Sequence, residues 1–136
     1  MRRLLPLLLC LATLLFSTHA FAGSYLDRAA LLLEQARKEG DMLGSRTKDT
    51  EFVTLVRALA EARSKAAKKM SVPPAVAKVH PHLLLCLESY DRAFLAAEQG
   101  NAKKSAEHLA TAREEERIYK TLLGQAGFTL PDLKKP

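Results

Sequence analysis

Apolar residues recur at intervals of three and four along four separate stretches of this sequence, and no stretch alternates apolar and polar residues as a β-strand does. This spacing places the apolar side chains of each stretch on one face of a helix. Each such face has to be buried, and connections of the observed length join neighbouring helices. We therefore predict an all-α fold, an antiparallel four-helix bundle. The predicted faces are Leu26, Ala29, Ala30, Leu33 and Ala36; Phe52, Leu55, Leu59, Ala62 and Ala66; His80, Leu83, Leu87, Tyr90, Phe94 and Ala97; and Ala102, Ala106, Leu109, Ala112, Tyr119 and Leu123.

Capping residues, glycines and prolines set the predicted helix ends. Ser24 can cap the first helix and Gly40 can stop it, which leaves the polar stretch GDMLGSRTKDT as a long loop. The prolines of SVPPAVAKVHP end the second helix and allow a single turn at 74–78, and Asn101 can cap the fourth. The predicted helices cover residues 24–39, about 51–69, 81–99 and 102–123. They form a bundle domain at 23–127, followed by an irregular tail at 128–136 in which Phe128 and Leu130 can fold back onto the bundle.

Two short matches suggest an internal repeat of helical hairpins. DRAALLLEQA at 27–36 returns as DRAFLAAEQG at 91–100, and LAEAR at 59–63 returns as LATAR at 109–113. Duplication of one hairpin explains both matches. Coincidence also explains them, because Ala, Leu, Glu, Gln and Arg are common in any amphipathic helix. The sequence leaves this choice open, and both alternatives predict the same bundle.

The first 22 residues have the pattern of a secretory signal peptide. Arg2 and Arg3 precede an apolar run at 4–16, and the small residues Ala20 and Ala22 suit a cut after Ala22. A membrane span is the rival interpretation, but Pro6 and the polar residues at 17–19 leave the run short of the roughly 20 apolar residues required. Cys10 has the wrong neighbours for a lipoprotein signal. We expect a periplasmic or secreted protein without a stable membrane span after cleavage.

The charge of the chain is modest and argues against nucleic acid as a partner. The formal net charge of +6 falls to +4 without Arg2 and Arg3, and there is no Trp to stack on bases. Only Arg63, Lys65, Lys68 and Lys69 cluster, which is typical of a solvated helix end facing the negative pole of the helix. Weak attraction of this cluster to anionic lipid headgroups or cell-wall polymers stays open.

The group His80, His82 and Cys86 is the strongest candidate for a ligand site. His82 and Cys86 lie four apart on one helical face, so an imidazole and a thiolate could reach one metal ion, for which copper or zinc are the candidates. The opposing interpretation makes Cys86 a small core residue and the histidines caps or surface residues. Cys86 has no partner for an intramolecular disulfide after cleavage, although an intermolecular one remains open.

No catalytic motif is present. Glu116 faces the apolar side of the fourth helix, yet no Glu-x-x-His pair of the di-iron type occurs, and we expect Glu116 to pair with Arg113 or Lys120. The sequence lacks haem-attachment, zinc-protease and phosphate-loop motifs. We predict a non-enzymatic interaction or binding module for an unidentified protein partner; the alternative is a metal or small-ligand carrier using His80, His82 and Cys86. Weak self-association through Leu31 and Leu32, which lie off the apolar face, is a third hypothesis.

Overall fold

The computed structural model describes the backbone of residues 5–134 and the side chains of residues 22–134. Within this part of the chain it contains four α-helices, a single 3-10 turn and no strand, which confirms the predicted all-α four-helix architecture. The predicted signal peptide lies outside the described side chains, apart from Ala22. Over the described residues, no helix combines the length and the apolarity needed to cross a membrane. The elements are α1 Leu5–Arg46, α2 Thr50–Lys68, the 3-10 turn Pro74–Val76, α3 His80–Glu98 and α4 Ala102–Gln125.

The central element of the bundle is α3, which packs along α4 on one side and α2 on the other, while α1 packs less closely across these three helices. The six residues of its predicted face, from His80 to Ala97, are all buried. The five predicted residues of α1 are buried as well. The helical spacing therefore identified the packing faces of α1 and α3 correctly.

Helix α1 does not stop at Gly40, as the sequence suggested, but continues to Arg46. Gly40 is buried in the helix interior against α3 and α4: a Cβ atom at this position would lie 2.8 Å from Cε1 of Tyr90 and 3.2 Å from Cδ2 of Leu109. The glycine thus permits a close approach of helices rather than a helix end. The connection to α2 shrinks to residues 47–49, where Asp49 caps α2 by accepting a hydrogen bond from the Phe52 amide at 3.0 Å.

The predicted face of α2 is wrong except at Phe52. Leu55, Leu59, Ala62 and Ala66 are exposed, and the buried face is Phe52, Val53, Val56, Ala60, Arg63, Ser64 and Ala67. Two apolar faces coexist on this helix, and the sequence argument chose the one with larger side chains. The bundle instead buries the face with valines and alanines, because small and β-branched side chains allow α2 to pack closely on α3.

The predicted cap of α4 and most of its predicted buried face are confirmed. The Asn101 side chain accepts a hydrogen bond from the Lys104 amide at 3.0 Å, and Gly100 adopts φ 74°, which ends α3 just before this cap. Leu109, Ala112, Tyr119 and Leu123 are buried, but Ala102 and Ala106 are exposed and Ser105 takes their place in the core. After α4, Phe128 and Leu130 pack against the core, so the irregular tail folds back as expected.

The two repeated motifs behave differently in the structure. In the decapeptides, Ala29, Ala30 and Leu33 are buried, and so are their counterparts Ala93, Phe94 and Ala97. In the pentapeptides, Leu59 is exposed whereas its counterpart Leu109 is buried. The second match therefore does not place equivalent residues in equivalent environments, and the α3–α4 pair is also packed far more closely than α1–α2.

Candidate functional site

His80 is the first residue of α3 and is buried at the end of the bundle. Its Nδ1 lies 3.0 Å from the Tyr25 hydroxyl on α1, and the Tyr119 hydroxyl on α4 donates to the Tyr25 oxygen at 3.2 Å. Burial lowers the pKa of the imidazole, and a hydrogen bond to the Ala67 backbone opposes that shift. A neutral ring that accepts at Nδ1 and donates to the Ala67 carbonyl from Nε2 satisfies all these contacts. His80 therefore connects the four helices rather than presenting a free ligand atom.

His82 and Cys86 share a face of α3 but have different partners on α4. The His82 Nδ1 lies 2.8 Å from Oε2 of Glu115, in a half-buried pair. The Cys86 thiol is fully buried and donates to the Ala112 carbonyl at 3.2 Å. Burial raises the pKa of the Cys86 thiol, and the nearby carboxylates of Glu116 and Glu115 raise it further. This environment stabilises the protonated thiol, whereas a metal ligand or nucleophile has to be a thiolate.

The structure thus does not bring the predicted metal ligands together. His80 contacts Tyr25, His82 contacts Glu115, and Cys86 contacts the α4 backbone. Among the residues described, no three His, Cys, Asp or Glu side chains are grouped so that they could hold a metal ion. Sequence reasoning missed the hydrogen bond between Tyr25 and His80 and the one between Tyr119 and Tyr25, because these contacts span 55 and 94 positions along the chain.

Glu116 lies on the buried side of α4 and pairs with Lys120, one turn further on, at 2.5 Å. This is one of the two pairings predicted from helical spacing. The other candidate, Arg113, instead contacts Asp41 of α1 at 3.2 Å. Glu116 and Lys120 also line an open cavity of about 480 Å³ between α1, α4 and the tail at 129–134. The carboxylate is satisfied by Lys120, so it has no need of a ligand in this cavity.

The four residues of the basic cluster of α2 lie in different environments, because one is buried and three are exposed. Arg63 is buried and forms a two-point contact with Glu39 of α1, in which the Nη1–Oε1 distance is 3.0 Å and Nη2 contacts Oε2. Arg63 is therefore not part of a solvated helix end, contrary to the sequence interpretation. Lys65 pairs with Glu61 at 2.6 Å, while Lys68 and Lys69 are exposed and have no acidic partner within the described part of the chain.

An exposed apolar face on α2 is the surface that sequence reasoning assigned to the core. Leu55 is 59% exposed and Leu59 is 41% exposed, and Ala58, Ala62 and Ala66 continue the same side of the helix. On α1, Leu31 is exposed, but Leu32 packs partly against the core. The predicted Leu31–Leu32 strip is thus only half formed, and the α2 face is the longer apolar surface.

Charged residues of opposite sign flank the two ends of this α2 face. Glu51 lies at its amino-terminal end, and Lys68 and Lys69 lie at its carboxyl-terminal end. Asp49 and Lys65 lie near the same two ends but are already paired with Arg46 and Glu61. The helix therefore presents an apolar centre between an acidic and a basic end.

Comparisons of the chain with protein-family models, with curated proteins and with solved structures found no match.

Proposed function

We propose that this chain is an exported, non-enzymatic interaction module whose contact surface is the exposed α2 face. The observation that supports this proposal is the pair of exposed leucines, Leu55 and Leu59, in line with three alanines on a helix whose opposite side is already buried in the bundle. A second apolar face of this kind favours a helix of a partner laid along it. The signal-peptide pattern at residues 1–22 supports export to the periplasm or beyond.

The partner that we propose is a second copy of the same chain. When two α2 helices lie antiparallel, the acidic end of each faces the basic end of the other, and alanines at the centre permit close packing. A parallel arrangement would place like charges together. The apolar area is small, so we expect weak association, with a dissociation constant of about 10 μM to 1 mM.

Sedimentation equilibrium over a range of protein concentrations tests this proposal. The double variant Leu55→Gln/Leu59→Gln should remove the association, because it replaces the apolar centre with polar side chains. The matched control is Leu31→Gln, which changes an exposed leucine on α1. Loss of association in Leu31→Gln instead would assign the contact to α1, and a wild-type chain that stays monomeric at the highest concentration would reject self-association.

Charge exchange tests the antiparallel orientation. Glu51→Lys should weaken the association, because it places a lysine opposite Lys69 of the second copy. Adding Lys69→Glu to the same chain should restore it, since both contacts then again join opposite charges. If the double variant does not regain self-association although circular dichroism shows that both variants are folded, the antiparallel orientation is excluded.

A further inference from the structure

A long segment of the sequence without any acidic residue forms one end of the bundle. From Ala62 to Leu87 the chain contains no Asp or Glu, yet it contains five Lys and Arg residues. This segment comprises the second half of α2, the connector with the 3-10 turn, and the first half of α3. Because α2 and α3 are antiparallel neighbours, its two helical parts meet at the same end of the molecule.

Three lysines at this end point into solvent without acidic partners. Lys68 and Lys69 lie at the end of α2, and Lys78 lies in the connector; all three are exposed. None of them forms an ion pair with any residue in the described range. The lysines at 38, 65 and 120 each pair with a glutamate. Those at 48, 103 and 104, at the opposite end, form no ion pair within the described residues either, but acidic residues at 49, 51 and 107 lie within four positions of them in the sequence. The basic end, as defined by Lys68, Lys69 and Lys78, therefore carries uncompensated positive charge.

The amino-terminal part of α1 lies at this same end. Tyr25 of α1 contacts His80, the first residue of α3, so the chain that precedes Tyr25 approaches the bundle beside the basic end. That preceding chain contains the apolar run at 4–16. The acidic residues that bound this segment in sequence, Glu61 and Glu88, pair with Lys65 and Arg92. Glu115 of α4, which contacts the segment, pairs with His82.

We propose that the basic end binds the surface of an anionic lipid bilayer. While the apolar run is held in a membrane during export, the bundle end that emerges next to the bilayer is the one that carries Lys68, Lys69 and Lys78. After cleavage the same lysines retain a weak and reversible attraction to anionic headgroups. The attraction is electrostatic and falls off within about 10 Å at an ionic strength of 0.1 M, so it should disappear at high salt.

Vesicle cosedimentation tests this proposal with the protein as it is recovered after export. The vesicles contain phosphatidylglycerol and phosphatidylcholine in equal amounts, or phosphatidylcholine alone. We expect binding to the anionic vesicles at low salt and loss of that binding at high salt. Binding to vesicles of phosphatidylcholine alone should be weaker than binding to the anionic vesicles at low salt. If the recovered chain retains residues 1–22, the apolar run contributes to both vesicle types, and the difference between them remains the readout.

Matched variants locate the binding surface. Lys68→Gln/Lys69→Gln/Lys78→Gln should lower the partition coefficient strongly, by about fivefold for each lysine. The control Lys48→Gln/Lys103→Gln/Lys104→Gln removes the same charge from exposed lysines at the opposite end of the bundle, and should retain most of the binding. An equal loss in both triple variants, or binding to a soluble polyanion without any binding to vesicles, would overturn the proposal. Lys68 and Lys69 also flank the α2 face, so two further variants separate the proposals. Leu55→Gln/Leu59→Gln should lose self-association and keep vesicle binding, whereas Lys78→Gln alone should weaken vesicle binding and leave self-association unchanged.

Discussion

Single residues in this protein act through positions that are far apart in the sequence. Gly40 illustrates this, because its structural role follows from its close contact with Tyr90, fifty positions later in the sequence. An alanine at an exposed helix position is more favourable than glycine by about 1 kcal/mol. At Gly40 the added Cβ would lie only 2.8 Å from the Tyr90 ring, and the buried ring has little room to move. The steric cost should therefore exceed the gain in helix propensity.

We predict that Gly40→Ala lowers the free energy of unfolding by about 1 to 2 kcal/mol, since overpacking of a core typically costs about 1 to 3 kcal/mol. The matched control is Gly44→Ala in the same helix, where an added Cβ meets nothing within 4 Å. Gly44→Ala should leave the stability unchanged or raise it. Urea unfolding followed by circular dichroism measures both changes. Equal stabilisation by the two variants would contradict the close contact between Gly40 and Tyr90.

His80 should make the stability of the bundle depend on pH. Burial lowers the pKa of His80 below its ordinary value of 6.5, so the unfolded chain binds a proton more readily than the folded one. The stabilisation that comes from neutral His80 is complete above pH 6.5 and is lost as the pH falls from there towards the lowered pKa of the folded state. Unfolding free energies measured between pH 7.5 and 5.5 should therefore decrease.

The variant His80→Asn tests the origin of this decrease. An asparagine can still contact the Tyr25 hydroxyl, but it does not titrate, so the variant should show a smaller change in stability over the same pH range. His108→Asn, on the half-exposed side of α4, controls for the loss of a histidine. If His80→Asn and the wild type change in parallel with pH, the titrating group lies elsewhere.

At the scale of helices, the periodicity of the sequence predicted the buried faces of α1 and α3 and most of that of α4, but it predicted the wrong face of α2 and the wrong bounds of α1. On α1, α3 and α4 most of the large apolar side chains lie on one face, so the pattern leaves little choice of orientation. Helix α2 has two, and the choice between them depends on which side chains fit against α3, a property of packing that the pattern does not contain. Arg63 adds to the difficulty, because a charged residue on the buried face is acceptable only when its partner, Glu39, is supplied by another helix.

The candidate site shows the same limit more clearly. Spacing alone placed His82 and Cys86 on one face of a helix, and the structure agrees with that placement. Whether two side chains on one face share a ligand depends on the helix opposite. On α4, Glu115 pairs with His82, and the Ala112 carbonyl accepts a hydrogen bond from the Cys86 thiol. Likewise, the exposed α2 face could be recognised only after the buried faces of all four helices were known.

At the scale of the whole molecule, Cys86 reports on the opening of the bundle. Its thiol lies between α3 and α4, the most closely packed pair of helices, and burial raises its pKa. A thiol reagent should therefore reach Cys86 only when the bundle unfolds. An intermolecular disulfide through Cys86 would require the same opening.

We predict that modification of Cys86 in native buffer is slow and that it becomes fast in denaturant. A Cys10→Ser background keeps Cys86 as the single thiol whether or not residues 1–22 are retained. In this background, adding Gly40→Ala should raise the native rate about 5- to 30-fold, the factor by which 1 to 2 kcal/mol raises the unfolded population. Gly40 lies at a contact between α1 and α3, whereas Cys86 lies between α3 and α4. A substitution at Gly40 can therefore change the reactivity of Cys86 only if both regions unfold in one cooperative step. A native rate equal to that of a free thiol, or one unaffected by Gly40→Ala, would show instead that the α3–α4 pair opens locally without the rest of the bundle.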